Sequence, residues 1–78
     1  MGKFLILNGT GKTQAIAVEP WADIETLEPE EIARFDYDDP ADIEFVLLED
    51  GSAAVYVVSE RVTVETPKRA RTWRLPEE

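Results

Sequence analysis

Short runs in which apolar and polar residues alternate, separated by turn-forming residues, recur along the whole 78-residue chain. Phe4-Leu5-Ile6-Leu7 ends at Asn8-Gly9-Thr10-Gly11, and Thr13-Gln14-Ala15-Ile16-Ala17-Val18 follows, a pattern that predicts a first β-hairpin. Ile43-Glu44-Phe45-Val46-Leu47-Leu48 then meets Asp50-Gly51, the strongest two-residue hairpin signal in the chain, and Ala54-Val55-Tyr56-Val57-Val58 completes a second hairpin. In residues 61–66, Val62 and Val64 alternate with polar side chains as a half-buried strand requires, and Pro67 ends the run.

The middle of the chain reads two ways. Trp21, Ile24 and Leu27 recur at three-residue spacing, and Pro29-Glu30-Glu31 followed by Ile32 to Phe35 fits a helical turn with proline first and acids at its N-terminus. A strand over residues 32–37 fits as well and places Ala33, Phe35 and Tyr37 on one face. Pro20, Pro29 and Pro40 leave no room for a long helix. The fold class that follows is all-β: a small antiparallel β-sandwich or partly open barrel of six or seven short strands, with at most one short helical turn. Residues 1–66 make a single domain, and residues 67–78 a basic C-terminal extension in which Thr72-Trp73-Arg74-Leu75 is a candidate last strand.

Alternation also names the inward side chains: Phe4, Ile6, Ile16, Val18, Trp21, Leu27, Phe35, Phe45, Leu47, Val55, Val57, Val62 and Val64. Val46, Leu48, Tyr56 and Val58 then fall on the opposite face of the second hairpin, which is apolar on both sides. A central strand pair covered on both faces is favoured over an outer face that serves as a contact surface, because monomers rarely leave large apolar patches open.

Charge adds direction to this picture. The chain carries 17 acids against 8 bases, a formal net charge of −9. Thirteen of those acids, against Arg34 alone, lie in residues 19–50, while the first 18 residues hold two lysines and no acid. Residues 67–74 hold Lys68, Arg69, Arg71 and Arg74. The absence of both cysteine and histidine removes disulfides, thiolate or imidazole zinc sites and every histidine general base. The N-terminal apolar run spans four residues, well short of the roughly 7–15 of a signal peptide, so a cytoplasmic protein with no membrane partner is expected.

Three motifs suggest chemistry and each has a plainer reading. Asn8-Gly9-Thr10-Gly11-Lys12-Thr13 resembles the end of a phosphate-binding loop, but Ile6 stands where the first glycine belongs and a β-like run follows where a helix must open. Asp36-Tyr37-Asp38-Asp39-Pro40-Ala41-Asp42 is rich in oxygen ligands, but Pro40 stands where a calcium loop turns on glycine, so a solvated turn is expected and no metal or cofactor is assigned. Carboxylate pairs have no diagnostic value when acids are this frequent, and a domain of this size has little room for a deep substrate pocket. The chain is therefore read as a non-enzyme. The basic tail could touch nucleic acid only against the repulsion of a −9 body, so direct nucleic-acid binding is not expected.

Val18-Glu19-Pro20-Trp21-Ala22, then Leu27-x-Pro29-x-Glu31 and the Asp50-Gly51 hairpin, resemble a group of short bacterial all-β proteins of unknown function. In that group a strand ends in Glu-Pro-Trp, a Leu-Pro-Pro-Gly-Glu-like turn follows, and two or three further strands complete the pattern. The resemblance covers residues 14–65 and implies a strand over residues 32–37 preceded by a turn at Pro29-Glu30. Here Glu28 and Glu30 stand where the group has proline and glycine. No catalytic residue comes with the resemblance.

The functional expectation is a binding protein whose acidic belt occupies the basic groove of a nucleic-acid-binding protein. Such a protein is a nucleic-acid-mimic inhibitor of the anti-CRISPR or another anti-defence type. Glu30, Glu31, Asp36, Asp38, Asp39, Asp42 and Glu44 are its expected contacts, with Trp21, Tyr37 or Tyr56 as aromatic anchors. The alternative is an interaction module, toxin-neutralising or homodimeric, that works through the apolar sheet face.

Overall fold

The computed structural model describes residues 2–74, and these contain eight strands. They are β1 (Gly2–Leu7), β2 (Gln14–Glu19), β3 (Asp23–Leu27), β4 (Ile32–Tyr37), β5 (Asp42–Leu47), β6 (Ala53–Val58), β7 (Arg61–Glu65) and β8 (Ala70–Arg74). One sheet has the order β1-β4-β7-β8 and the other β3-β2-β6-β5. Neighbouring strands are antiparallel except β2 and β6, which run parallel. The architecture is a sandwich rather than a closed barrel, and the helical turn considered for residues 29–35 is replaced by a turn and β4.

Period-two alternation fills the space between the sheets. Ile16 and Val18 of β2, Ala33 and Phe35 of β4, Val55 and Val57 of β6, and Val62 and Val64 of β7 are all buried, as is Leu27 at the end of β3. Phe4 lies flat on Phe35, with ring centroids 4.6 Å apart, and thus ties β1 to the centre of the core. Tyr37 shares the inward face of β4 with Ala33 and Phe35 and packs against that core.

The expected first hairpin does not form. Strand β1 pairs with β4, and β2 pairs with β3, so residues 8–13 carry the chain from one sheet to the other. The buried Asn8 directs this crossing: its Nδ2 donates to the carbonyl oxygens of Lys12 at 2.8 Å and Leu27 at 2.9 Å, while its Oδ1 accepts from Thr10 N–H and Oγ. These bonds make the segment a scaffolded turn followed by a strand.

The second hairpin forms with a different loop. Leu48 N–H donates to Ser52 C=O and Gly51 N–H to Leu48 C=O, and Gly51 has φ of 88°, so the connection is a three-residue loop, Glu49-Asp50-Gly51, closed by a left-handed glycine. The strand pair is covered on one face only. Tyr56 and Val58 are exposed on the other side, because β6 is an interior strand of a sheet on whose outer surface nothing is stacked among the described residues.

Candidate functional site

Each sheet has two edges, and the sandwich therefore has two lateral sides, one where β3 meets β8 and one where β1 meets β5. The two are built from opposite chemistry.

At the β3/β8 side, basic residues of the C-terminal segment reach across to acids of β3. The Arg69 guanidinium donates through Nε and Nη2 to the two oxygens of Glu25, at 3.2 and 3.1 Å, although the Glu25 residue is only 3% exposed. Arg71 and the Trp73 indole N–H both bond Asp23, at 3.0 Å each, and Trp73 stacks on Trp21 with centroids 5.8 Å apart. Burial, the largest single influence on the Asp23 carboxyl, pushes its pKa up, yet the Trp73 N–H, the Arg71 charge and the Ile24 N–H together hold it below the ordinary value. The hydrogen bond from Arg69 to Glu25 raises the Arg69 pKa in the same network. Arg69 Nη2 also donates to Ile24 C=O at 3.2 Å, and Lys68 Nζ to Thr26 C=O at 3.0 Å, so two carbonyls along the β3 edge are occupied by side chains. The basic segment is thus part of the fold, with β8 bonded to β7; Leu75, expected in that last strand, lies outside the described residues.

At the β1/β5 side no such bridge exists among the described residues. Phe45 touches Phe4 edge to face at 5.3 Å, and beyond that contact the two sheets part to leave an apolar groove of about 450 Å³. Ile6, Leu7, Phe45, Leu47 and Leu48 line it, with Ile16 and Leu27 at its floor. Sequence alternation placed Phe45 and Leu47 in the core, yet Phe45 is 58% exposed and Leu47 88%, because they point toward the inner side where no strand of the opposite sheet covers them. Leu5 is 63% exposed on the neighbouring edge strand. A volume of several hundred cubic ångströms, unexpected in so small a domain, arises here because the side is open. The loop at one end is held in place: Asp50 Oδ1 accepts from Ser52 N–H and Oγ, which holds its carboxyl below the ordinary pKa, and Gln14 Nε2 donates to Gly51 C=O at 2.7 Å.

The acids expected to act as one belt are dispersed. Glu30 and Glu31 sit before β4, whereas Asp38 and Asp39 follow it, at the far end of a six-residue strand. Asp36 pairs with Arg34 at 3.2 Å, Asp38 with Arg61 at 2.9 Å, and Glu31 lies 3.9 Å from Lys68. The Arg61 hydrogen bond is the main reason the Asp38 pKa falls below its usual value. Tyr37 and Trp21, taken as anchors, are partly buried against the core. Asp42 and Glu44 are exposed on the outer face of β5 and, like the exposed Glu30, enter none of the ion pairs among the described residues. Register places Glu44 opposite Tyr56, itself opposite Glu19, so a half-exposed tyrosine stands between two carboxylates on the outer face. Tyr56, at 41% exposure, is the anchor that remains available.

Among the described residues, no group of three or more acids converges on a metal position, and no helix is long and apolar enough to cross a membrane. Comparison with protein-family models, curated proteins and solved structures yields no match to the chain.

Proposed function

We propose that the protein is a non-enzymatic binding module that receives a basic protein at its β1/β5 side. The observation that carries this reading is the open apolar groove, with Leu47 almost fully exposed beside it. Apolar groups seated in the groove supply affinity in proportion to the area they remove from water. Asp42 and Glu44 on the outer face of the same strand and Glu49 in the adjoining loop, together with the net charge of −9, favour a cationic partner and accelerate its approach. A second copy of the chain carries the same −9, so self-association works against long-range repulsion. A nucleic-acid-binding protein offers the basic surface this charge complements, and occupancy of that surface makes the protein an inhibitor of the anti-defence kind.

The test places a photoreactive residue at position 47, and in a second variant at position 72 on the opposite edge, and cross-links each in cells. The captured protein is then purified and its affinity measured against salt. We expect a basic protein bound through position 47 alone, with affinity falling at least about tenfold from low to high salt and lost in Phe45→Asp. Competition by DNA or RNA assigns the contact to the partner's nucleic-acid groove. Capture from position 72 alone, or binding unchanged by Phe45→Asp, overturns the reading.

A further inference from the structure

The groove is bounded by a strand that has no neighbour on one side among the described residues, and this determines how a partner can enter. Strand β5 is an edge of its sheet. The hairpin bond from Leu48 N–H to Ser52 C=O sets the alternation along it, because residues of an antiparallel pair take turns bonding inward. With Val46 opposite Ala54, Glu44 opposite Tyr56 and Asp42 opposite Val58, these three turn their backbone groups to β6. The N–H and C=O groups of Ile43, Phe45 and Leu47 therefore face away from the sheet. Their side chains lie on the same face as the groove, so one strip of chain presents unpaired backbone and exposed apolar surface together.

We infer that β5 receives an added strand from the partner, and that this strand alternates apolar and basic residues. The inference rests on the proposed docking of a basic protein at the β1/β5 side and specifies its geometry. An added strand continues the pleat, so its residues opposite Ile43, Phe45 and Leu47 send their side chains into the groove and are apolar. Its intervening residues lie beside Asp42 and Glu44 on the outer face, where cations are favoured and carboxylates opposed. The other edges fit this role poorly. Carbonyls of β3 are taken by Arg69 and Lys68, and β8 carries Arg71 and Arg74. The Asn8 N–H bond to Glu31 C=O sets the alternation along β1 and leaves Lys3, Leu5 and Leu7 facing outward. A strand added there lies beside Lys3, the wrong charge for a basic segment.

The probe is a short end-blocked synthetic peptide alternating valine and lysine, followed by amide hydrogen exchange and side-chain NMR shifts in the full chain. Two further peptides carry N-methyl groups on the valine amides or on the lysine amides, and a fourth alternates valine and glutamate. We expect the valine–lysine peptide to slow exchange at Ile43, Phe45 and Leu47 by at least about tenfold and to leave Lys3, Leu5 and Leu7 unchanged. One N-methylated peptide fails and the other binds: failure of the valine-methylated form reports antiparallel addition, failure of the lysine-methylated form parallel addition. If the peptide shifts the Phe45 and Leu47 side chains without amide protection, or if both methylated forms bind equally well, strand addition is overturned while groove docking stands. Equal binding of the valine–glutamate peptide overturns the charge matching. No binding of any peptide overturns the inference, and the cross-linking experiment then decides the docking reading by itself. Protection that grows with protein concentration and with salt in the absence of peptide assigns the edge to a second copy and overturns the basic partner.

Discussion

The two sides of the sandwich are a matched pair of edges finished in opposite ways. At β3/β8 a lysine, two arginines and a tryptophan span the gap between sheets, satisfy a buried carboxylate and occupy backbone carbonyls along β3. At β1/β5 the sheets meet through Phe4 and Phe45 and then part. An edge with unpaired backbone and exposed apolar side chains invites pairing with another chain, and proteins ordinarily cover or charge it. That the same small domain closes one side so thoroughly makes the bareness of the other informative. The difference also corrects the meaning of the charge count. Asp23, Glu25, Glu31, Asp36 and Asp38 serve ion pairs inside the fold, so the −12 of residues 19–50 overstates the negative surface offered to a partner.

The comparison can be broken most severely at Glu25. Glu25→Lys buries a cation against Arg69 in place of a matched pair, at a cost of at least about 3 kcal/mol. The whole stability of a core this small is about 3–5 kcal/mol, so the variant is expected to be largely unfolded at 37 °C by circular dichroism. Glu25→Leu removes the buried charge and leaves Arg69 half in water, and it should fold. Equal loss in both variants would assign the defect to packing and remove the ion pair from the account of how this side closes.

Trp73→Ala tests the aromatic part of the same closure. The indole stacks on Trp21, donates to Asp23 and lies beneath Arg71, whose guanidinium carbon is 5.4 Å from the ring centroid. Because the ring is half-buried, its loss is expected to cost about 2 kcal/mol, less than full burial would imply, and to lower the thermal midpoint by about 8–16 °C. An unchanged midpoint would make β8 a passive strand.

Acid loosens the closed side by a smaller amount. The folded Asp23 carboxyl titrates below its unfolded value of about 3.9, so its contribution to stability is complete above that pH and is lost as pH falls through the folded value. Asp38, held by Arg61, follows the same sign. Denaturant midpoints should show no loss attributable to these groups from neutral pH down to about 4 and should decline below it, with tryptophan fluorescence reporting the Asp23–Trp73 contact. A decline that starts near pH 6 would mean carboxyls raised by burial dominate instead.

Much of the fold was legible in local pattern. The β5–β6 hairpin and β7 follow from alternation of Val55/Val57 and Val62/Val64, whereas Ala33/Phe35 allowed a strand at β4 without deciding it against a helical turn. Strand β3 was hidden because its pattern is inverted: Ile24 faces solvent while Glu25 faces the interior, and the arginine that permits this lies 44 positions away. Pairing of β1 with β4 was equally out of reach, since local alternation identifies a strand but not its neighbour. The turn before β4 was more accessible. Glu30 has φ of 71°, a conformation glycine adopts most readily, and follows Pro29, a residue that favours turns. Of the proposed site, Asp42 and Glu44 stand out in the sequence by charge, and Tyr56 by its place on the outer face of the second hairpin. The groove itself was missed because Phe45 and Leu47 carry the same alternation whether or not an opposing strand covers them.

The smallest expected effect on stability comes from the most exposed apolar side chain. Leu47 makes so little contact with the rest of the fold that Leu47→Asp should change the denaturant midpoint by no more than about 0.5 kcal/mol equivalent, whereas Trp73→Ala across the sandwich costs several times that. A residue that the fold does not need, placed on an edge that the fold does not cover, should be felt in association alone. Leu47→Asp should therefore abolish binding of the purified basic partner while leaving the melting curve in place. A clear loss of stability would mean that the β1/β5 side is closed in solution by contacts of Leu47, and the contrast between the two sides would then disappear.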